Sequence, residues 1–159
     1  MNDVPSKKMN GKAITIKKVF SRETFVSITI QAPPAIVWGL LTNVSDFSRW
    51  NSTVISIEGE IKKGNRIRLK STLDEKRIFQ LKVKEFEPET RLVWGDNMGN
   101  RIYTLQRDVG DMMKLTMTEK IGGPLFPLFA KQIPSFDESF EQFAVDIKKE
   151  AEAIQNSKS

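Results

Sequence analysis

The sequence predicts an α+β protein in which an antiparallel sheet of about seven strands curls across one long C-terminal helix. Three observations carry that prediction. Short stretches rich in Ile, Val, Phe and Thr recur from residue 13 to residue 121, separated by Gly, Pro, Asp or Asn clusters. The turns between the later stretches are too short for parallel crossovers, so neighbouring strands must run antiparallel. From residue 135 the pattern changes to a helical period with a single apolar stripe. A twisted sheet of this size curls, and one curled around a helix leaves a groove or cavity between the two.

In chain order, "AITIKKVF" (13–20) and "TFVSITIQA" (24–32) read as strand material. In "APPAIVWGLLTNV" (32–44), Pro33 and Pro34 end the strand and open a helix, because a missing N–H costs little in a first turn. Ile36, Val37, Leu40, Leu41 and Val44 then recur at helical spacing. Ser45 or Asp46 is placed to cap a second, very short helix ending at Trp50. These two short helices follow the first strand of the sheet. Strand signals return at 53–60, 66–73, 77–87, 91–97, 100–109 and 112–121. Pro127 and Pro134 interrupt or kink what comes next. Ser135 then opens an S-x-x-E capping box with Glu138, and Phe136, Phe140, Phe143, Ile147, Ala151 and Ile154 form one apolar face over about five turns. No repeat or low-complexity linker interrupts residues 13–155, which are read as one domain between a mobile tail (1–12) and a frayed end (156–159).

The chain has 159 residues, 39% hydrophobic and 28% charged, as expected of a soluble globular protein. No apolar run approaches the roughly 18 residues of a spanning helix. Residues 1–12 lack the apolar stretch of a secretory signal. With no cysteine there is no disulfide framework and no thiolate chemistry. The expectation is a cytoplasmic protein, monomeric or weakly dimeric. The net charge of +5 resides in residues 1–22, which carry six basic side chains against one acidic; the rest carries 19 of each. A body without charge bias is a poor polyphosphate surface, so no nucleic-acid partner is expected. The basic arm reads as a solvated tail, with contact to an acidic partner or a membrane as the alternative.

Turn positions allow a guess at register. A turn centred near Gly110 sets Leu105 opposite Leu115, Tyr103 opposite Met117, and Arg101 opposite Glu119. A turn at Met98–Gly99 sets Trp94 opposite Tyr103 and Leu92 opposite Leu105. A turn on Glu75 pairs Ser71 with Phe79, Leu69 with Leu81, and Ile67 with Val83. Period-two alternation gathers these apolar residues on one inner face and leaves Arg68, Lys70, Lys82, Lys84 and Lys114 on a wetted outer one.

Candidate cavity residues from the sheet are Leu69, Phe79, Leu81, Trp94, Tyr103, Leu105 and Met117. Arg101 and Glu119 stand at the end of the apolar face. They read either as a rim ion pair worth up to about 1 kcal/mol or as a polar handle for a ligand, with the Tyr103 hydroxyl beside it. Either reading requires them to pair, because an unpartnered buried charge is costly. Phe126 and Phe129, in the proline-broken stretch, are expected to form a flexible lip. Phe136 and Phe140 supply the helix side. Phe47 and Trp50 fasten the short helix at the mouth, and Trp50 is also a candidate for lining the pocket.

Much chemistry is missing. There is no histidine, hence neither the commonest general base nor the commonest transition-metal ligand. No D-x-D-x-D-G loop and no G-x-S-x-G elbow occur, and "GEIKKGN" (59–65) is not a phosphate loop. No catalytic residue, metal or cofactor is assigned. Catalysis would have to come from shaping a flexible substrate, with Arg101, Tyr103 or Glu119 moving protons.

"ITIQAPPAIVWGLLTNVSDFSRWNSTV" (28–54) resembles the N-terminal signature of the START-like (SRPBCC) superfamily, in its polyketide cyclase/dehydrase and lipid-transport branch. The shared pattern is a strand, an AP-x-x-x-VW-x-x-L helix, then an aspartate, an aromatic and a W-N-P turn. "FEPETRLVW" (86–94) and the closing stretch from Gly122 are also similar to the family's, and the likeness spans residues 24–153. Ser52 departs from the usual proline and is expected to loosen the turn. The resemblance implies a helix-grip fold whose cavity takes a hydrophobic or amphipathic small molecule, lipid or polyketide-like. Aromatic polyketide cyclases and chaperone- or partner-regulating modules share the fold, so architecture is better defined than function.

Overall fold

Strict alternation between half-buried and buried residues runs through all ten positions of Ser21–Ile30, the mark of a strand with one wet and one dry face. This strand, β2, is paired on both sides. The computed structural model describes residues 9–158. β1 (Ile14–Lys17) and β2 are followed by helices α1 (Pro34–Thr42) and α2 (Val44–Trp50). Then come β3 (Val54–Glu58), β4 (Arg66–Ser71), β5 (Asp74–Glu87), β6 (Arg91–Gly95), β7 (Gly99–Arg107) and β8 (Met113–Gly122). A four-residue helix α3 (Phe126–Phe129), a 3-10 turn (Ala130–Gln132) and the long helix α4 (Asp137–Ser157) close the chain. The strands form one eight-stranded open antiparallel sheet in the order β1-β2-β8-β7-β6-β5-β4-β3, and with α4 against it the chain adopts the helix-grip fold. The count exceeds the expected seven because residues 13–32 fold as a hairpin, closed where the Lys18 N–H donates to the Ser21 carbonyl at 2.8 Å.

The inner face is apolar as expected. Ile67, Val83, Leu92, Trp94, Tyr103, Leu105, Leu115 and Met117 are buried together with Phe140, Phe143, Ala144, Ile147 and Ala151 of α4. Trp50 packs edge-on against Phe47 (5.1 Å between ring centroids) and tilts onto Phe143 at 6.0 Å, fastening α2 to α4. Polar bonds tie the other side of α4 to the first hairpin: Glu141 accepts from the Ala13 N–H, Glu152 from the Gln31 N–H, and Lys148 donates to the Thr29 carbonyl.

Register holds for β7–β8, where Arg101 lies opposite Glu119, Tyr103 opposite Met117 and Leu105 opposite Leu115. It slips by two residues elsewhere. In β6–β7, Trp94 faces Arg101 and Leu92 faces Tyr103. Here the Asp96 carboxylate accepts the N–H groups of Met98 (2.8 Å) and Gly99 (3.1 Å), which closes the loop one residue earlier than expected. Gly95 is required at this corner, since a Cβ there would collide with the Gly99 carbonyl and Asn100. In β4–β5 the turn tightens to Thr72–Leu73, and an irregularity after Leu69 sets Leu69 opposite Phe79 and Ile67 opposite Leu81. A two-residue slip preserves faces, so the inner set survives. A further bulge between Val83 and Glu85 bends β5 and turns Phe86 inward, where its ring meets Trp38 edge-on at 5.2 Å.

Several end effects differ from expectation. Residues 9–12, part of the expected tail, bond to β2: the Gly11 N–H donates to the Ser27 carbonyl at 2.7 Å, and the Asn10 side chain accepts from the Thr29 N–H at 2.9 Å. The rest of that expected tail, 1–8, lies outside the described residues. At the other end α4 continues through Ser157, because its apolar stripe and its bonds to the hairpin carry it past the expected fray; residue 159 also lies outside the described residues. Neither Ser45 nor Asp46 caps α2. Asn43 holds the N-cap position, the Ser45 hydroxyl donates to the Asn43 side chain, and Asp46 instead binds Arg49 at 2.6 Å. The capping box at Ser135 does not form either. Phe136 takes the N-cap position with near-helical backbone, and the Ser135 hydroxyl accepts only the Asp137 N–H at 3.3 Å.

Candidate functional site

Beyond the point where α4 begins, the long helix no longer covers the inner face of the sheet, and a cavity of about 550 Å³ opens there. Its floor comes from β4 and β5 through Leu69, Phe79 and Leu81, and from β6 through Trp94. Its roof is the proline-broken segment with Phe129, Ile133 and Phe136, together with Ser139 on the first turn of α4. Exposed side chains of Asp74, Arg77 and Gln132 line it as well, so it communicates with solvent.

Of the residues expected to face a ligand, the structure brings Leu69, Phe79, Leu81, Trp94, Arg101, Glu119, Phe129 and Phe136 to this space. Six are elsewhere. Trp50 is buried in the α2–α4 contact, and Tyr103, Leu105 and Met117 are packed in the core beneath α4. Phe140 is buried in the same core, stacked 6.0 Å from Phe136. Phe126 is buried with its ring edge-on to Phe129 at 5.8 Å. For the three strand residues the physical reason is the same: alternation tells which face a side chain takes but not where along the strand the helix stops covering it. Ser139, Ile133, Leu73 and Ile121 also line the cavity, outside the expected set. For Ser139 a signal exists, because it stands three residues after Phe136 on the apolar stripe and interrupts it with a small polar side chain.

Arg101 and Glu119 sit opposite each other on β7 and β8, with Nε donating to Oε1 at 2.7 Å. Their side chains retain 21% and 16% exposure, and the guanidinium lies 5.1 Å from the centre of the Phe140 ring. The ion pair therefore forms and also lines the cavity. Burial pushes the Glu119 carboxyl above its ordinary range, with the adjacent guanidinium opposing the shift. Burial likewise pushes the neighbouring Tyr103 hydroxyl up to about 12, against the pull of Arg101. Tyr103 stays a neutral phenol across the physiological range. The pair cancels its own charge, and Nε is one of five guanidinium donors, so the wall offers hydrogen-bond donors without a net charge.

The roof is anchored at one end by Arg22 of β2. Its Nη atoms donate to the carbonyls of Ile133 (3.2 Å) and Pro134 (2.9 Å), and its charge lies 5.3 Å from the Phe136 ring centre. The lip expected to be flexible is thus tied down where it meets α4. Among the described residues no group of acidic side chains could hold a metal ion, and no helix is long and apolar enough to cross a membrane.

The fold is shared with solved structures at low identity. A protein from Rhodobacter sphaeroides superposes with a TM-score of 0.63 at 18% identity, covering 89% of this chain and 99% of that one. A conserved protein of unknown function from Enterococcus faecalis gives 0.62 at 14%, covering 94% of each. A START superfamily protein from Mycobacterium smegmatis gives 0.60 at 12%, covering 83% and 98%. No curated protein matches the sequence. The profile described as polyketide cyclase / dehydrase and lipid transport matches residues 22–152, from the second strand almost to the end of the last helix. With the sheet, the long helix packed on it and the hollow at that helix's start in place, the chain belongs to the polyketide cyclase / dehydrase and lipid transport family.

Proposed function

We propose that this protein reversibly binds a hydrophobic or amphipathic small molecule, lipid or polyketide-like, in the cavity roofed by residues 126–136. The observation that carries the reading is the cavity itself. Its volume of about 550 Å³ falls within the few hundred to a thousand Å³ of small-molecule pockets, and mostly apolar walls with a few placed polar groups are their common composition. The Arg101–Glu119 pair favours an uncharged oxygen, such as a hydroxyl or carbonyl, over a carboxylate, because the guanidinium charge is already answered at 2.7 Å. Family membership supports the same reading.

The test is a fluorescence titration with Nile red, a neutral apolar dye that carries a carbonyl. Saturable binding of one dye per chain is expected. Ser139→Trp, which pushes an indole into the cavity from the helix, should weaken it at least tenfold with the melting temperature little changed. Non-saturable binding, or binding that ignores the substitution, would refute the proposal.

A further inference from the structure

The roof segment has two faces, and only one belongs to the cavity. Phe126 is buried and Phe129 lines the hollow, whereas Leu125 and Leu128 point outward at 65% and 77% exposure. The Leu128 N–H bonds to the Leu125 carbonyl, so the two leucines share one turn. Next to them lies the β1–β2 turn, because the Gly123 N–H donates to the Phe20 carbonyl at 3.0 Å. That turn presents Val19 at 71% and Phe20 at 57% exposure. Four large apolar side chains therefore project from two adjacent turns at the end of the molecule where the cavity is roofed.

Within the two stretches that carry them the charge is of one sign. Residues 16–22 and 120–136 contain five basic side chains (Lys17, Lys18, Arg22, Lys120, Lys131) and no acidic one. Arg22 is used in holding the roof, and Lys120 pairs with Glu23 at 3.6 Å. Lys17, Lys18 and Lys131 are exposed. Of the carboxylates that flank these stretches, Glu119 is paired with Arg101, Asp137 accepts from the Thr15 hydroxyl and Asp96 closes its own loop, while Glu138 is exposed on the first turn of α4.

We propose that this end of the molecule docks on an anionic lipid surface, inserting Val19, Phe20, Leu125 and Leu128 among the acyl chains while Lys17, Lys18 and Lys131 meet the headgroups. Apolar side chains flanked by lysines are the chemistry of interfacial attachment. The shape favours a bilayer over a protein. Four separate projections expose a few hundred Å² at most, well short of the about 800 Å² per partner in a stable protein interface, whereas a bilayer receives protruding side chains one at a time.

The experiment is flotation of the full-length chain with vesicles of mixed phosphatidylcholine and phosphatidylserine, beside vesicles of phosphatidylcholine alone. Binding to the mixed vesicles is expected, weakened at least tenfold without phosphatidylserine and by high salt. The double substitution Leu125→Ser/Leu128→Ser, at exposed positions, should lose at least tenfold. Val109→Ser, 85% exposed in the β7–β8 turn, should change nothing. No flotation overturns the proposal. So does flotation that the double substitution leaves intact, which would assign binding to the basic N-terminal arm. A concentration-dependent dimer abolished by the same substitution, without vesicle binding, would give the patch to a second copy of the chain. None of these outcomes involves the dye or Ser139, so failure here is distinct from failure of the cavity reading.

Discussion

Ser52 donates both its backbone N–H and its hydroxyl to one carboxylate oxygen of Asp146, at 2.8 and 2.7 Å. The residue that takes the place of the family's usual proline is therefore a clasp between the end of α2 and the middle of α4. The expectation of a looser turn is corrected, because a proline would supply neither donor. Ser52→Ala should cost about 1 kcal/mol in urea unfolding, the usual worth of one such bond near the surface. Ser52→Pro should cost more, since the N–H is lost as well.

The Arg101–Glu119 pair predicts an asymmetry. Glu119 has a folded-state affinity for protons above its ordinary value, so its contribution to stability is full below the usual carboxylate range and declines as pH rises through the raised value. Glu119→Gln resembles the protonated acid and keeps an oxygen able to accept from Arg101 Nε, so it should cost less at neutral pH than removing the guanidinium does. The comparison should move in favour of the native protein as the solution is acidified. Arg101→Met leaves a carboxylate alone in a half-dry wall and should cost about 3 kcal/mol at neutral pH. That loss should shrink on acidification, when Glu119 can take up a proton. Denaturant unfolding of the three proteins across the acid range checks both signs.

Arg22 predicts a local effect. Its two bonds to the carbonyls of Ile133 and Pro134 and its position over Phe136 hold the roof to β2. Burial lowers the Arg22 pKa, with Asp137 opposing, so its charge is held against a desolvation cost. Arg22→Met should speed hydrogen exchange across residues 126–136 at least tenfold and hasten dye release, with exchange in residues 140–155 unchanged. Uniform acceleration along α4 would instead mean that Arg22 stabilises the whole fold.

What the sequence could reveal depended on periodicity. Leu69 and Trp94 reached the expected face even though their partners slipped by two residues, because a slip of two leaves each side chain on its own side. The slips themselves were hidden. They depend on which N–H groups Asp96 accepts and on the Ser71 turn, which no alternation encodes. Phe86 was hidden for the same reason, since the bulge that turns it inward leaves the alternation of neighbouring residues ambiguous. The largest gap was between core and cavity. Tyr103 and Arg101 are two residues apart on one strand and share a face, yet α4 buries the first and leaves the second beside the hollow. Where a helix begins against a sheet is a tertiary fact, and Ser139 was its one trace in the apolar stripe.

The central claim is that the hollow beside Arg101 and Glu119 holds a small molecule. Native mass spectrometry of the protein purified from its own host tests it most directly, because it detects bound cargo of any chemical identity by mass alone. The expected spectrum shows one adduct per chain, with the mass of an apolar compound, absent from Ser139→Trp prepared in the same way. A bare chain mass from the native protein, after its lipid and polyketide extracts have been added back, would contradict the account.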